Sequence, residues 1–92
     1  MVTISFPSIF FPVTEEKKTC IETNTFEELL DLLIERYGKA FSDLIYDEYG
    51  DINRYYKFYL KNRRKGGGFE LHRGCKLEYD DEVALLIIIG GG

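Results

Sequence analysis

The residues with the strongest chemical prospects stand at the end of the sequence: an acidic stretch, Asp80-Asp81-Glu82, the unbroken apolar run Val83 to Ile89, then Gly90, Gly91 and Gly92. A terminal carboxylate is a poor electrophile until it is adenylated, and adenylation requires threading it into a partner's nucleotide site. Glycine suits that passage because it has no side chain to clash in a narrow channel and permits backbone angles closed to other residues. It also leaves the terminal carbonyl unhindered to attack. A rigid strand ahead of the glycines would fix the direction of exit, and the glycines would supply reach. The plainer alternative is a frayed end, since termini commonly have no task; an apolar strand running straight into the glycines argues against it.

The other reactive residue types are less well arranged. Cys75 and His72 lie three apart in a glycine-punctuated loop without an evident orienting partner, so no nucleophile–base pair is expected there. The segment Lys65-Gly66-Gly67-Gly68 lacks the glycine spacing and the following Lys-Ser/Thr of a phosphate-binding loop and reads as a hairpin tip. Asp80-Asp81 reads as a solvated turn. Cys20 and Cys75 have no CxxC spacing, and with a single histidine they make a zinc site improbable; two reduced thiols are expected, as in a cytoplasmic protein. No enzyme constellation emerges, so the expectation is of no catalytic residues, no metal and no bound cofactor.

Composition narrows the partners. Ninety-two residues make one small domain able to bury a modest core. A net charge of −4 argues against nucleic acid and offers no polybasic membrane anchor. The N-terminus lacks the basic region before an apolar one that a signal peptide needs, and the run Val83 to Ile89 is far shorter than the roughly 20 residues a membrane span takes.

The elements that must position the tail follow from periodicity. Val2-Thr3-Ile4-Ser5-Phe6 alternates as a half-buried strand. Pro7 and Pro12 restrict the backbone around Ser8-Ile9-Phe10-Phe11, Glu15-Glu16-Lys17-Lys18 reads as a solvated hairpin turn, and Thr19-Cys20-Ile21-Glu22 as the returning strand. Thr25 with Glu28 forms a capping-box signature, and Phe26, Leu29, Leu30, Leu33 and Tyr37 then fall on one helical face. Gly38 is the natural stop. Phe41 to Tyr49 reads as a short helix or turn ended by Gly50-Asp51. In Tyr55 to Lys61, Tyr56, Phe58 and Leu60 share one strand face and Tyr55, Lys57, Tyr59 and Lys61 the wet one. Phe69-Glu70-Leu71 is a brief fourth strand. The continuous apolar character of the last strand implies burial on both faces and a central place in the sheet, beside the first strand and parallel to it. The expectation is an α+β fold: a ubiquitin-like β-grasp roll with a mixed sheet of four to five strands packed on one main helix, residues 1–89, followed by a tail, residues 90–92.

Asp81-Glu82-Val83-Ala84-Leu85-Leu86, followed closely by terminal Gly91-Gly92, resembles the end of the ubiquitin-like sulfur carriers (the ThiS/MoaD-like proteins), especially the small subunit of molybdopterin synthase. The order of the opening strand, the helix Thr25 to Tyr37 and the strand Tyr55 to Lys61 resembles that family more loosely. The resemblance implies that Gly92 is adenylated by a ubiquitin-activating-like adenylyltransferase, which uses ATP, and is then converted to a thiocarboxylate that donates sulfur. It implies that Gly91, with Gly90, provides the slender approach, and that Leu86, Phe58 and Leu60 face partners, among them a molybdopterin synthase large subunit. Two departures stand out. Ile87-Ile88-Ile89 replaces the prolines common before the glycines, and Pro7 to Val13 is more apolar than the family pattern. Thiamine, molybdenum or tungsten cofactor synthesis, tRNA thiolation and protein modification remain open. A ubiquitin-like modifier joined through Gly92 to target lysines is the alternative, and a binding module with an inert tail the second.

Overall fold

The computed structural model describes residues 1–61 and 69–88. Five strands form one mixed sheet in the order β2-β1-β5-β3-β4. Strand β1 (Val2–Ser5) sends Val2 and Ile4 fully into the core and pairs antiparallel with β2 (Lys18–Ile21) in the register Val2 opposite Ile21. On its other side β1 runs parallel to β5 (Glu82–Ile87), with Ile4 opposite Val83. Strand β5 is thus central, flanked on its far side by antiparallel β3 (Tyr56–Leu60), which in turn carries β4 (Phe69–Leu71) at the edge. The parallel, central placement expected of the last strand is what the topology has.

One face of the sheet is covered by α2 (Phe26–Tyr37), whose Phe26, Leu29, Leu30 and Leu33 are buried. The Thr25 side chain accepts the Glu28 N–H at 3.2 Å, as the capping signature requires. The Glu28 carboxylate turns to the Thr23 hydroxyl at 2.7 Å, because the strand-like segment after β4 occupies the helix entrance: Thr25 bridges Lys76, and the Phe26 N–H donates to the Cys75 carbonyl. Gly38 ends the helix with φ +83° and ψ −164°, a backbone conformation reserved largely for glycine. A shorter helix, α3 (Lys39–Ile45), follows at once and buries Phe41 and Ile45.

The expected solvated turn at Asp80-Asp81 is half right, since Asp81 is buried and its carboxylate accepts the Glu78 N–H at 2.7 Å. Two further expectations of the fold need correction. The link from β1 to β2 is not a simple solvated turn at Glu15 to Lys18. It holds a 3-10 turn (Ser8–Phe10) and one helical turn, α1 (Phe11–Thr14), before β2 begins at Lys18 itself. Pro12 sits in the first turn of α1, where its missing N–H has no helical partner to lose. Phe10 is fully buried against Phe41 and Tyr56, at ring separations of 5.6 and 5.2 Å. The unexpected apolar character of this segment is therefore core. Glu16 is engaged as well, accepting the Tyr37 hydroxyl at 2.5 Å and lying 3.4 Å from Arg36 Nε.

The second correction concerns β5. Val83, Ala84 and Leu85 are buried, but Leu86 and Ile88 are 41% and 38% exposed. A single helical layer covers one face of the sheet, so burial on both faces ends where Ala84, between Ser5 and Tyr59, gives way to Leu86.

Candidate functional site

The proposed reactive end begins where β5 leaves the sheet. The Lys61 N–H donates to the Glu82 carbonyl at 2.8 Å, and the Ile88 N–H donates to the Tyr55 carbonyl at 2.7 Å. These two bonds clamp both ends of β5 to β3, so the last described residue, Ile88, is still held by the sheet. The tail expected to react, Gly90, Gly91 and Gly92, and the proposed boundary after Ile89, lie outside the described residues.

The register settles which side chains of β3 and β5 look outward. Phe58 lies opposite Leu85 and Leu60 opposite Val83, all on the helix-covered face. Phe58 is 1% exposed and Leu60 fully buried. The assignment of these two as partner-facing is therefore corrected: a side chain without accessible surface presents nothing to a partner, and both are core. Phe58 packs edge-on against Phe26 of α2 at 5.1 Å. Leu86, by contrast, lies on the open face opposite Lys57. Beside it on that face are Tyr59, opposite Ala84, and the pair Tyr55 and Ile88 joined by the last ladder bond. Leu86, Ile88, Tyr55 and Tyr59, all more than a third exposed, make an apolar stripe along the strand that leads to the tail. Scattered exposed apolar residues are ordinary, whereas a contiguous patch marks an interaction surface. The alternation of Tyr55 to Lys61 places Tyr55 and Tyr59 on this face; the sequence alone gives no measure of how far they stand clear of their neighbours.

Charge borders the stripe. Lys57 Nζ pairs with Glu70 Oε1 at 3.0 Å. The Arg54 guanidinium lies 5.4 Å from the centre of the Tyr55 ring, and its hydrogen bond, then its charge, hold the Tyr55 hydroxyl below the usual tyrosine range. Far from the stripe, burial and then the Glu16 carboxylate push Tyr37 up to about 12.

The thiols are both free, Cys20 exposed and Cys75 half-buried. Cys75 Sγ lies 4.0 Å from His72 Nδ1, and that nitrogen lies 3.5 Å from the Arg73 carbonyl oxygen. A backbone carbonyl at that range does not orient an imidazole as a carboxylate would. Among the described residues no cluster of three or more His, Cys, Asp or Glu side chains could hold a metal ion, and no helix is long and apolar enough to cross a membrane.

No model of a known protein family matches the chain, and no curated protein matches it. Solved structures do. SAMP1 from Haloferax volcanii superposes with a TM-score of 0.73 at 15% identity, over 99% of this chain and 98% of that one. The structure of the Amycolatopsis orientalis BexX/CysO complex contains a chain that superposes with a TM-score of 0.71 at 25% identity, with both chains covered completely. Both neighbours are covered almost end to end, so the likeness is to whole small β-grasp domains of the ThiS/MoaD-like kind. The chain has the ubiquitin-like β-grasp fold, and its resemblance is to the sulfur carriers built on it.

Proposed function

We propose that this protein is a ubiquitin-like sulfur carrier whose Gly92 carboxylate is the reacting group. A ubiquitin-activating-like adenylyltransferase takes the tail, the carboxylate attacks the α-phosphorus of ATP, and pyrophosphate leaves. Hydrosulfide then attacks the acyl carbon, the acyl–phosphate bond breaks, AMP leaves, and the thiocarboxylate forms with no change of oxidation state. Gly90 and Gly91 let the tail pass into the nucleotide site, since an added side chain there would meet the channel wall. The observation that carries this reading is the union of a central, doubly clamped β5 with an apolar stripe on the open face, running in the direction of Gly90-Gly91-Gly92.

Leu86 is the proposed anchor for the activating enzyme, and the same stripe would seat the enzyme that receives the sulfur, such as a molybdopterin synthase large subunit. That CysO is found in complex with BexX supports a carrier of this shape docking on a protein partner. Molybdenum or tungsten cofactor synthesis is the proposed pathway, on the strength of the Asp81 to Leu86 motif.

The test is the intact mass of the protein isolated from its own host, with fragmentation to locate any change. Sulfur in place of one oxygen at Gly92 is the expected result. Glycine remnants of this tail on lysines of other proteins, with an unmodified free pool, would replace the carrier reading with that of a modifier. A host indifferent to loss of Gly91 and Gly92, together with an unmodified tail, would leave a binding module.

A further inference from the structure

The β3–β4 ladder ends at the pair Phe58 and Leu71, beyond which the two chains diverge. Between them opens a cleft of about 500 Å³, floored by Phe58 and Leu71 and walled by Ile52 and Tyr56. Its rim is basic in an acidic protein. Three of the chain's 12 lysines and arginines (Arg54, Lys57 and Arg73) line it together with His72, against Glu70 alone of 16 acidic residues. Glu70 is already occupied by Lys57, so the two arginines set the sign of the rim. Arg73 also acts on Glu27 of α2, whose carboxylate accepts the Gly74 N–H at 3.0 Å; Arg54 rests on the Tyr55 ring at 5.4 Å.

The cleft lies beside a sheet edge. Among the described residues β4 has a strand neighbour on its β3 side alone. Lys61 and Tyr55 direct their backbone groups to β5, so the even residues of β3 direct theirs to β4. Phe69 and Leu71 answer them, and by alternation the Glu70 N–H and C=O point away from the sheet. An outward-facing edge accepts an added strand, and pockets beside it select the side chains that come with it. The cations sit on three separate stretches (the turn before β3, β3 itself and the turn after β4), which suits carboxylates spaced along an extended chain better than one compact anion.

We propose that this cleft and the β4 edge dock an acidic, extended segment of a protein partner, which adds as a strand beside Phe69–Leu71 and sets its carboxylates against Arg54 and Arg73. The surface adjoins the stripe through Lys57, which lies opposite Leu86, yet it stands on its own charges and edge and does not depend on the tail's chemistry.

The full chain, labelled with nitrogen-15, is titrated with an end-blocked octapeptide alternating glutamate and valine, in low salt. Amide shifts concentrated in residues 54–57 and 70–73 are expected, weakening steeply as salt is added. The double variant Arg54→Glu, Arg73→Glu should keep a native spectrum and bind at least about tenfold more weakly. Either single variant provides the same reading should the double variant lose its fold. Equal binding of a lysine–valine peptide, shifts confined to other surfaces, or no shift at millimolar peptide would overturn the proposal. So would inorganic phosphate moving the same amides at equal or lower concentration, since that assigns the cleft to small anions. A chain that binds this peptide but carries no sulfur at Gly92 would keep the cleft and lose the carrier.

Discussion

Replacing Phe58, Leu60 and Leu86 by alanine, one at a time, separates core from docking surface. Phe58 is 1% exposed, lies opposite Leu85 and meets Phe26 edge-on at 5.1 Å. Truncation removes a fully packed ring and leaves a cavity between sheet and α2, which costs about 3–5 kcal/mol. Leu60, with no exposed surface, should lose about 2–5 kcal/mol on the same grounds. Leu86 is 41% exposed on the uncovered face, so truncation forfeits only part of a leucine's burial and leaves no sealed void, and should cost under about 1 kcal/mol. A domain of this size shifts its Tm by roughly 4–8 °C per kcal/mol, so the Phe58 variant should melt some tens of degrees lower, roughly, and the Leu86 variant within a few degrees of the parent. Urea melts followed by circular dichroism give the free energies; pyrophosphate release with the host's activating enzyme gives the docking effect. Leu86→Asp should retain a native melt and lose most of that release. A Leu86→Ala variant as unstable as Phe58→Ala would refute the assignment of faces, and undiminished release from a folded Leu86→Asp would refute its role as anchor.

Two further outcomes test local chemistry. Thr25→Ala removes the acceptor for the Glu28 N–H and should destabilise the fold by about 1 kcal/mol in urea melts, whereas Thr25→Ser should be nearly neutral. Tyr37 should be the last tyrosine to ionise, near pH 12, seen as a late step in the ultraviolet tyrosinate titration that Tyr37→Phe abolishes. Because its folded value lies above the ordinary value of 10, its contribution to stability is intact below pH 10 and lost between about 10 and 12. A parent whose last tyrosinate step survives in Tyr37→Phe contradicts the Glu16 contact.

The parts of this fold legible in the sequence are those in which local and global preferences agree. Thr25, Glu28 and Gly38 bound α2 within a residue of its observed ends, since caps act through bonds to near neighbours in the chain. The period of two in Tyr55 to Lys61 gives the two faces of β3 correctly, because one register slip would exchange them wholesale. Phe58 and Leu60 depart from expectation on a different ground: the resemblance implies a partner surface there, whereas Tyr55, Lys57, Tyr59 and Lys61 mark the opposite face of the strand as the open one and leave Phe58 and Leu60 to the core. The segment Ser8–Thr14 was illegible because proline both breaks strands and opens helical turns, and only the burial of Phe10 decides between them. The basic cleft had no signature either, since Arg54 and Arg73 come together only when β3 and β4 part beyond Phe58 and Leu71.

A single helical layer underlies both the stability and the proposed docking surface of this protein. One face of the sheet must take Phe58, Leu60, Val83 and Leu85 to build a core at all, because α2 and α3 are the helices able to cover it. The opposite face then has no layer of its own, and the chain can close it with charge or leave it apolar. At Lys18 of β2 and at the Lys57–Glu70 pair it uses charge. Along the second half of β5 it uses leucine and isoleucine, flanked by two tyrosines, and this happens where the strand is clamped to β3 at Tyr55 and heads toward the glycines. An exposed apolar stripe carries a risk of aggregation, and its place along the β3–β5 seam that ends at Ile88 is what a surface held for a transient partner requires. The same clamp holds Ile88 on the sheet, so a partner docked on Leu86 and Tyr59 would meet Ile88, two residues before Gly90 in the sequence, at a set distance. Mutations that loosen the Ile88–Tyr55 bond should therefore weaken activation even where Leu86 is untouched.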